Sequence, residues 1–224
     1  MNYTINPMPP QIPQDTLDLL AQVETATLGH WRHFGFLHRS IQPLIPRRRV
    51  VGTAVTIAIP GPDSTLLHHL MGMIRPGDFI IVDRLHDDRH ACWGGGVTVA
   101  AKAAGAAGAV VDGPCTDLEE IVTSDFPMWC LGMSPITTRI YDLGGAINVP
   151  VSVGNTAVMP GWAVLADESG VLVLPPEDVR AEAEKAIATQ TRGKVREASL
   201  RTDGVKLGDL SGASAKVLAK LAAG

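Results

Sequence analysis

Apolar residues recur along this chain in two rhythms. Between Thr16 and Trp31 they return at helical spacing, as Leu17, Leu19, Leu20, Val23 and Leu28, behind Asp15 as a capping candidate. Continuous apolar runs follow. Val50 to Ile59 predicts a long strand, stopped by Pro60-Gly61-Pro62-Asp63, and Pro76-Gly77-Asp78 turns the chain into a second strand ending at Asp83. Ser64 to Met73, between them, predicts a helix. A helix opened by Gly94-Gly95-Gly96 (about Val97 to Ala106), a strand over Ala109–Val111 and a short helix from Thr116 come next.

Beyond a short strand at Trp129–Leu131 the pattern turns β-like, over Val149–Val153, Ala163–Leu165 and Val171–Leu174. The last two are joined by Asp167-Glu168-Ser169-Gly170, a hairpin signal. From Pro176 the spacing is helical to about Leu200, with a final small helix near Ala213 to Ala222. The sum is an α/β protein. With no fixed-period repeat and no break in composition, it reads as one domain over 1–224, with a core at about 45–175 and helical arms at 15–31 and 176–222. Arms rich in Leu and Ala suit packing on a neighbouring subunit.

Bulk properties exclude several partners. The chain has 224 residues, 46% apolar and 19% charged, which describes a soluble globular domain with room for one well-buried core. The formal charge is −4, and Arg47-Arg48-Arg49 is the one basic cluster, read as a solvated loop. Nucleic acid is therefore not expected as a partner. No apolar run approaches transmembrane length, so no membrane span is expected. The Pro-rich stretch Met1 to Asp15 lacks the apolar core of a signal peptide. Cys92, Cys115 and Cys130 have no CxxC spacing, and a reduced, cytoplasmic protein is the simplest expectation.

The chemistry concentrates between Gly94 and Glu120. Gly94, Gly95 and Gly96 before a helix either expose successive N–H groups to a carboxylate or phosphate, or serve a tight turn. Neither a P-loop nor GxGxxG is present. Thr116-Asp117-Leu118-Glu119 has the form of a capping box, so Asp117 is either a structural cap or a metal ligand. Asp112, at the carboxyl end of the preceding strand, and Glu120, three residues after Asp117, add weight to the second reading. Arg84-Leu85-His86-Asp87-Asp88-Arg89-His90 offers His and Asp for a metal or a general base, against a solvated polar loop. His68 and His69 lie in a helical stretch, one of them expected in the core or an interface.

The series Pro76-Gly77-Asp78, Asp83, Gly94-Gly95-Gly96, Gly108, Val111-Asp112-Gly113, Asp117 and Glu120 resembles the RraA-like proteins. Gly52-x-Ala54-x-Thr56, Val149-Pro150-Val151, Gly154, Pro160-Gly161 and Ala166-Asp167-x-x-Gly170-Val171 extend the likeness over about residues 15–200. That family includes 4-hydroxy-4-methyl-2-oxoglutarate / 4-carboxy-4-hydroxy-2-oxoadipate aldolases and the regulator of ribonuclease activity A. The resemblance implies a swivelling β/β/α fold, trimers or dimers of trimers, and active sites between subunits. It implies Mg²⁺ or Mn²⁺, a small oxo-acid substrate, and retro-aldol release of pyruvate with oxaloacetate decarboxylation beside it. The metal aspartate maps to Asp117 as direct ligand, with Glu120 and Asp112 ordering waters, and the substrate amides map to Gly94, Gly95, Gly96 and Val97.

In the aldolases an arginine precedes the metal aspartate; here that place is Thr116. Loss of such a donor can cost ~2.7–4 kcal/mol in the transition state. Arg192, aligned with a glutamate that in the family reaches a neighbouring subunit's site, is the candidate to replace its charge. The resemblance thus leaves two functions: a metal-dependent pyruvate-releasing lyase, or a non-catalytic regulator of ribonuclease activity acting by protein–protein binding.

Overall fold

A computed structural model describes residues 2–202 and 204–224. Its centre is a run of parallel strands in sequential order: β3 (Val50–Ala58), β4 (Asp78–Asp83), β5 (Gly108–Val111) and β6 (Met128–Cys130). The crossovers between them carry α3 (Thr65–Leu70), α4 (Gly95–Ala103) and α5 (Leu118–Thr123). At the far edge β6 meets β2 (Gln42–Pro43), and on the other side β3 meets β7 (Gly145–Ile147), which pairs with β1 (Tyr3–Ile5). β3 also pairs antiparallel with β10 (Ala163–Asp167), the first arm of a hairpin with β11 (Gly170–Leu174); β8 (Val151–Val153) and β9 (Thr156–Val158) form a separate two-stranded ribbon.

The alternation of a strand explains how this sheet is buried on both faces. In β4, Ile80 and Val82 face the helices, packing with Leu67, Leu70, Val97 and Ile121, whereas Phe79 and Ile81 face Val151, Val158, Val164 and Val173. A third cluster lies where Leu165, Leu172 and Leu174 meet Leu17, Leu20 and Leu28 and the start of α6 (Val179–Thr202). Both terminal arms therefore pack on the hairpin of their own chain. Past Ala186 the arm, with α7 (Leu207–Leu210) and α8 (Ala213–Ala222), has no buried residues among those described, and Val195, Leu207, Val217, Leu218 and Leu221 are exposed.

Two helix expectations change. The helix over 16–31 is two, α1 (Gln14–Leu20) and α2 (Thr25–Leu28), and Pro13 rather than Asp15 occupies the N-cap of α1. The break has a tertiary cause. Thr25 donates both its N–H (2.8 Å) and its hydroxyl (2.6 Å) to the buried Asp167 carboxylate, which restarts the helix there. The helix from Thr116 begins at Leu118, and its capping box is not made: the N-cap is Asp117, left-handed at φ 54 and ψ 48, with no side-chain cap of its own helix.

Candidate active site

The segments that leave the carboxyl ends of β3, β4 and β5 converge on one cavity of about 500 Å³. Open parallel sheets bind ligands at this edge. Gly94, Gly96 and Val97 line it from the start of α4, Thr116 and Asp117 from the start of α5, and Ser64 and His68 from α3. Ala91 and Cys92 contribute from the β4–α4 connection, and Thr137 to Ile140 from the segment before β7.

Asp117 joins the two helix starts. Its left-handed backbone, a conformation costing on the order of 1–2 kcal/mol outside glycine, turns the carboxylate away from α5. Oδ2 accepts the Gly95 N–H at 2.9 Å, and Oδ1 accepts the Thr116 hydroxyl at 3.2 Å. The carboxylate thus sits at the positive end of α4. The Gly96 and Val97 N–H groups, in the first turn of α4, have no acceptor among the described residues, and both residues line the cavity, an arrangement suited to an anion.

The three glycines divide by role. A Cβ on Gly94 would strike Asp117 Oδ2 and come within 2.8 Å of Thr116 Cγ2, and one on Gly95 would come within 3.1 Å of Glu120 Cβ. These two permit the close approach of α5. A Cβ on Gly96 would meet no protein atom within 4 Å and would project into open space. Gly96 is under no such packing constraint.

The remaining acids lie elsewhere. Glu120 lines a separate depression with Gly95, Val99, Glu119, Thr123 and Ser124. Asp112 accepts the Gly154 N–H at 2.9 Å and does not line the Asp117 cavity. Burial, with Asp83 nearby, raises its carboxyl above the ordinary range despite that bond and the charges of His86 and His38. Arg192 extends from α6 into a different cavity, beside Glu24, Arg49 and Arg196, and bonds Thr189 of its own helix. Among the described residues no group of three or more His, Cys, Asp or Glu is arranged around a metal position.

The Arg84–His90 loop is closed on itself. Asp87 pairs with the His90 ring at 2.8 Å and accepts the N–H groups of Arg89 and His90; against the effect of burial, these bonds hold its carboxyl below the usual range. Arg84 is fully buried and donates to the carbonyls of Gly61 and His90. Cys92, in the cavity wall, is no nucleophile at neutral pH, since burial lifts its thiol to about 11, only partly offset by the Arg84 charge. Of the histidine pair neither is in the core: His68 and His69 are both exposed, and His68 lines the cavity.

Two contributors carry no local signal in the sequence. Arg139 lines the cavity from the segment before β7. Asp63 holds that segment in place: its carboxylate, 1% exposed, accepts the Tyr141 and Leu143 N–H groups and both the N–H and hydroxyl of Thr65. Burial alone would raise the Asp63 carboxyl, but these four donors bring it from 3.8 down to about 2.

Fold and cavity together define an α/β protein with a cavity at the carboxyl ends of a parallel sheet, lined by Gly96 and Val97, one carboxylate residue, one histidine and one arginine. Comparison with known proteins narrows the class. The model of the RraA-like family, described as Aldolase/RraA, matches residues 20–173, and the chain belongs to that family. A 4-hydroxy-4-methyl-2-oxoglutarate aldolase of Thermus thermophilus is 32% identical over 137 residues, 60% of this chain and 82% of that one. A Halalkalibacterium halodurans relative, whose name carries the same activity provisionally, is 32% identical over 164 residues, 73% of this chain and 78% of that one. Among solved structures, Streptomyces coelicolor RraAS2, described as an unusual member of the RNase ES inhibitor RraA protein family, superposes with a TM-score of 0.75 at 25% identity, covering 86% of this chain and 99% of that one.

Proposed function

We propose that this protein is a divalent-metal-dependent lyase of the class II pyruvate aldolase type, cleaving a 4-hydroxy-2-oxo dicarboxylic acid to pyruvate, with oxaloacetate decarboxylation as a second reaction. The observation that carries this reading is the meeting of the Gly96–Val97 amides, the Asp117 carboxylate and the His68 imidazole in one cavity. The aldolase names of its relatives support it.

The donor set suits Mg²⁺ or Mn²⁺. Such an ion keeps several waters and is held by one or two carboxylates plus the substrate, so a cage of three protein ligands is not needed. Asp117 would hold it, through the carboxylate that Gly95 and Thr116 orient. When bound, the ion supplies Lewis-acid polarisation of the 2-oxo group.

The chain's own groups supply the rest. The N–H groups of Gly96 and Val97, at the positive end of α4, bind the C1 carboxylate. His68 accepts the proton of the C4 hydroxyl as the C3–C4 bond breaks and its electron pair passes to C3, conjugated with the 2-oxo group. The imidazolium then returns that proton to C3, giving pyruvate and a second oxo-acid. A trimer or dimer of trimers, with Arg192 of one subunit approaching Asp117 of the next, completes the reading; the exposed apolar residues of the C-terminal arm support self-association. A cytoplasmic setting is part of it, supported by three unpaired, buried cysteines.

The test is pyruvate release from 4-hydroxy-4-methyl-2-oxoglutarate, 4-carboxy-4-hydroxy-2-oxoadipate and oxaloacetate, with Mg²⁺ or Mn²⁺. Turnover is expected to vanish with a chelator and to fall roughly a hundredfold or more in Asp117→Ala. Absence of metal-dependent turnover on all three would defeat the enzyme reading. A regulator of ribonuclease activity is the second reading, favoured by Thr116 in the place of the aldolase arginine and by the likeness to RraAS2. It is supported if a ribonuclease is inhibited equally by the wild type and Asp117→Ala.

A further inference from the structure

In the proposed reading the amides, Asp117 and His68 serve C1 to C4 of a hydroxy-oxo diacid and leave its second carboxylate without a partner. The cavity, at about 500 Å³, is several times the size of a three-carbon oxo-acid and has room for the other end. That end carries a second carboxylate, which loses hydration on entry and requires a cationic or multiply donating partner. Among the described residues the cavity is lined by one Lys or Arg, Arg139.

Arg139 is held in a specific way. Its backbone N–H donates to the Pro62 carbonyl at 2.8 Å, and its carbonyl accepts the Ser64 N–H at 3.0 Å. The neighbouring Thr138 N–H donates to Ala91 at 3.1 Å, so the segment is stitched to both the α3 and α4 approaches. In the side chain a single nitrogen is engaged: Nη1 donates to the Thr137 carbonyl (3.1 Å), the Thr137 hydroxyl (2.6 Å) and the Thr138 carbonyl (2.9 Å). Nε and Nη2 have no acceptor among the described residues, and no carboxylate there pairs with this guanidinium, in contrast to Arg32, Arg75 and Arg180. The edge formed by Nε and Nη2 is the fork that grips a carboxylate with two parallel hydrogen bonds.

We propose that Arg139 is a specificity-determining residue that binds the second carboxylate of the substrate through Nε and Nη2, selecting dicarboxylic over monocarboxylic oxo-acids. This rests on the oxo-acid reading of the cavity. The three bonds from Nη1 hold the fork in place before the ligand arrives, so little side-chain entropy is lost on binding. A lysine, with one point charge and no fork, would serve less well.

Calorimetric titration of the purified protein in Mg²⁺ buffer with 2-oxoglutarate, a dicarboxylate, and 2-oxobutyrate, a monocarboxylate, tests the proposal. Wild type is expected to prefer 2-oxoglutarate. Arg139→Gln is expected to weaken 2-oxoglutarate roughly ten- to hundredfold while leaving 2-oxobutyrate unchanged, and Arg139→Lys to recover part of the loss. Equal weakening of both ligands, or of neither, overturns the role of Arg139 while leaving the oxo-acid site standing. If wild type binds neither acid, the oxo-acid reading itself falls, and the specificity role falls with it.

Discussion

Replacing Asp63 with asparagine removes the charge that organises the segment carrying Arg139. The carboxyl drops from 3.8 to about 2 on folding, which corresponds to about 2.5 kcal/mol contributed by the ionised form at neutral pH. Because the folded value lies below the unfolded one, this contribution is complete above about pH 5 and fades as the pH falls through 3.8 toward 2, with roughly half left at pH 3. Asparagine also sets an amide N–H₂ against N–H donors that the carboxylate satisfied. Asp63→Asn is therefore expected to cost about 2.5 kcal/mol or more at pH 7, and about 1 kcal/mol less than that at pH 3. Urea unfolding followed by the fluorescence of the buried Trp93 and Trp129 measures this at both pH values. The difference between wild type and variant cancels the titration of every other carboxylate. A cost below about 1 kcal/mol at pH 7, or one that does not change with pH, would refute the assignment.

Three further substitutions probe the glycines and the N-terminal arm. Gly94→Ala is expected to destabilise by about 1–3 kcal/mol and to depress pyruvate release, because the methyl displaces Asp117 and Thr116. Gly96→Ala, with open space for its methyl inside a helix, is expected instead to gain about 0.5–1 kcal/mol in thermal unfolding while losing oxo-acid binding. Equal stability effects at the two positions would contradict their assignment to separate roles. Asp167→Ala strips the acceptor from the Thr25 N–H and hydroxyl and from the Ser169 N–H. It is expected to cost about 2–3 kcal/mol and to open the segment around Thr25 to limited proteolysis; an unchanged digestion pattern would count against the role of this bond in holding α2.

Much of the site was legible because its signal is local. The triple glycine, the apolar strand at Ala109–Val111 and the acids after it lie within one stretch of chain, and the structure brings Gly94, Gly96, Val97, Thr116 and Asp117 to one cavity. One local signal, the capping box, is not realised. Thr116-x-x-Glu119 has the spacing of a capping box, yet the Asp117 side chain serves the neighbouring helix through Gly95. Spacing within one helix cannot register a bond to another. The expected helix over 16–31 failed for the same reason, since the Thr25 to Asp167 bonds join residues 142 apart in sequence.

Local pattern alone set the α/β order of elements and the placing of a glycine-opened helix next to an acid-led one. These follow from period-2 and period-3.6 patterning, from turn residues and from helix-terminus electrostatics, all of which act between near neighbours. The assembled fold sets the rest: Arg139, on the segment that Asp63 holds, lines the cavity; His68 lines it too; and Glu120 and Asp112 lie in other surroundings. Those outcomes depend on which loops meet at the carboxyl edge of the sheet. Contacts between residues distant in sequence leave no period to read.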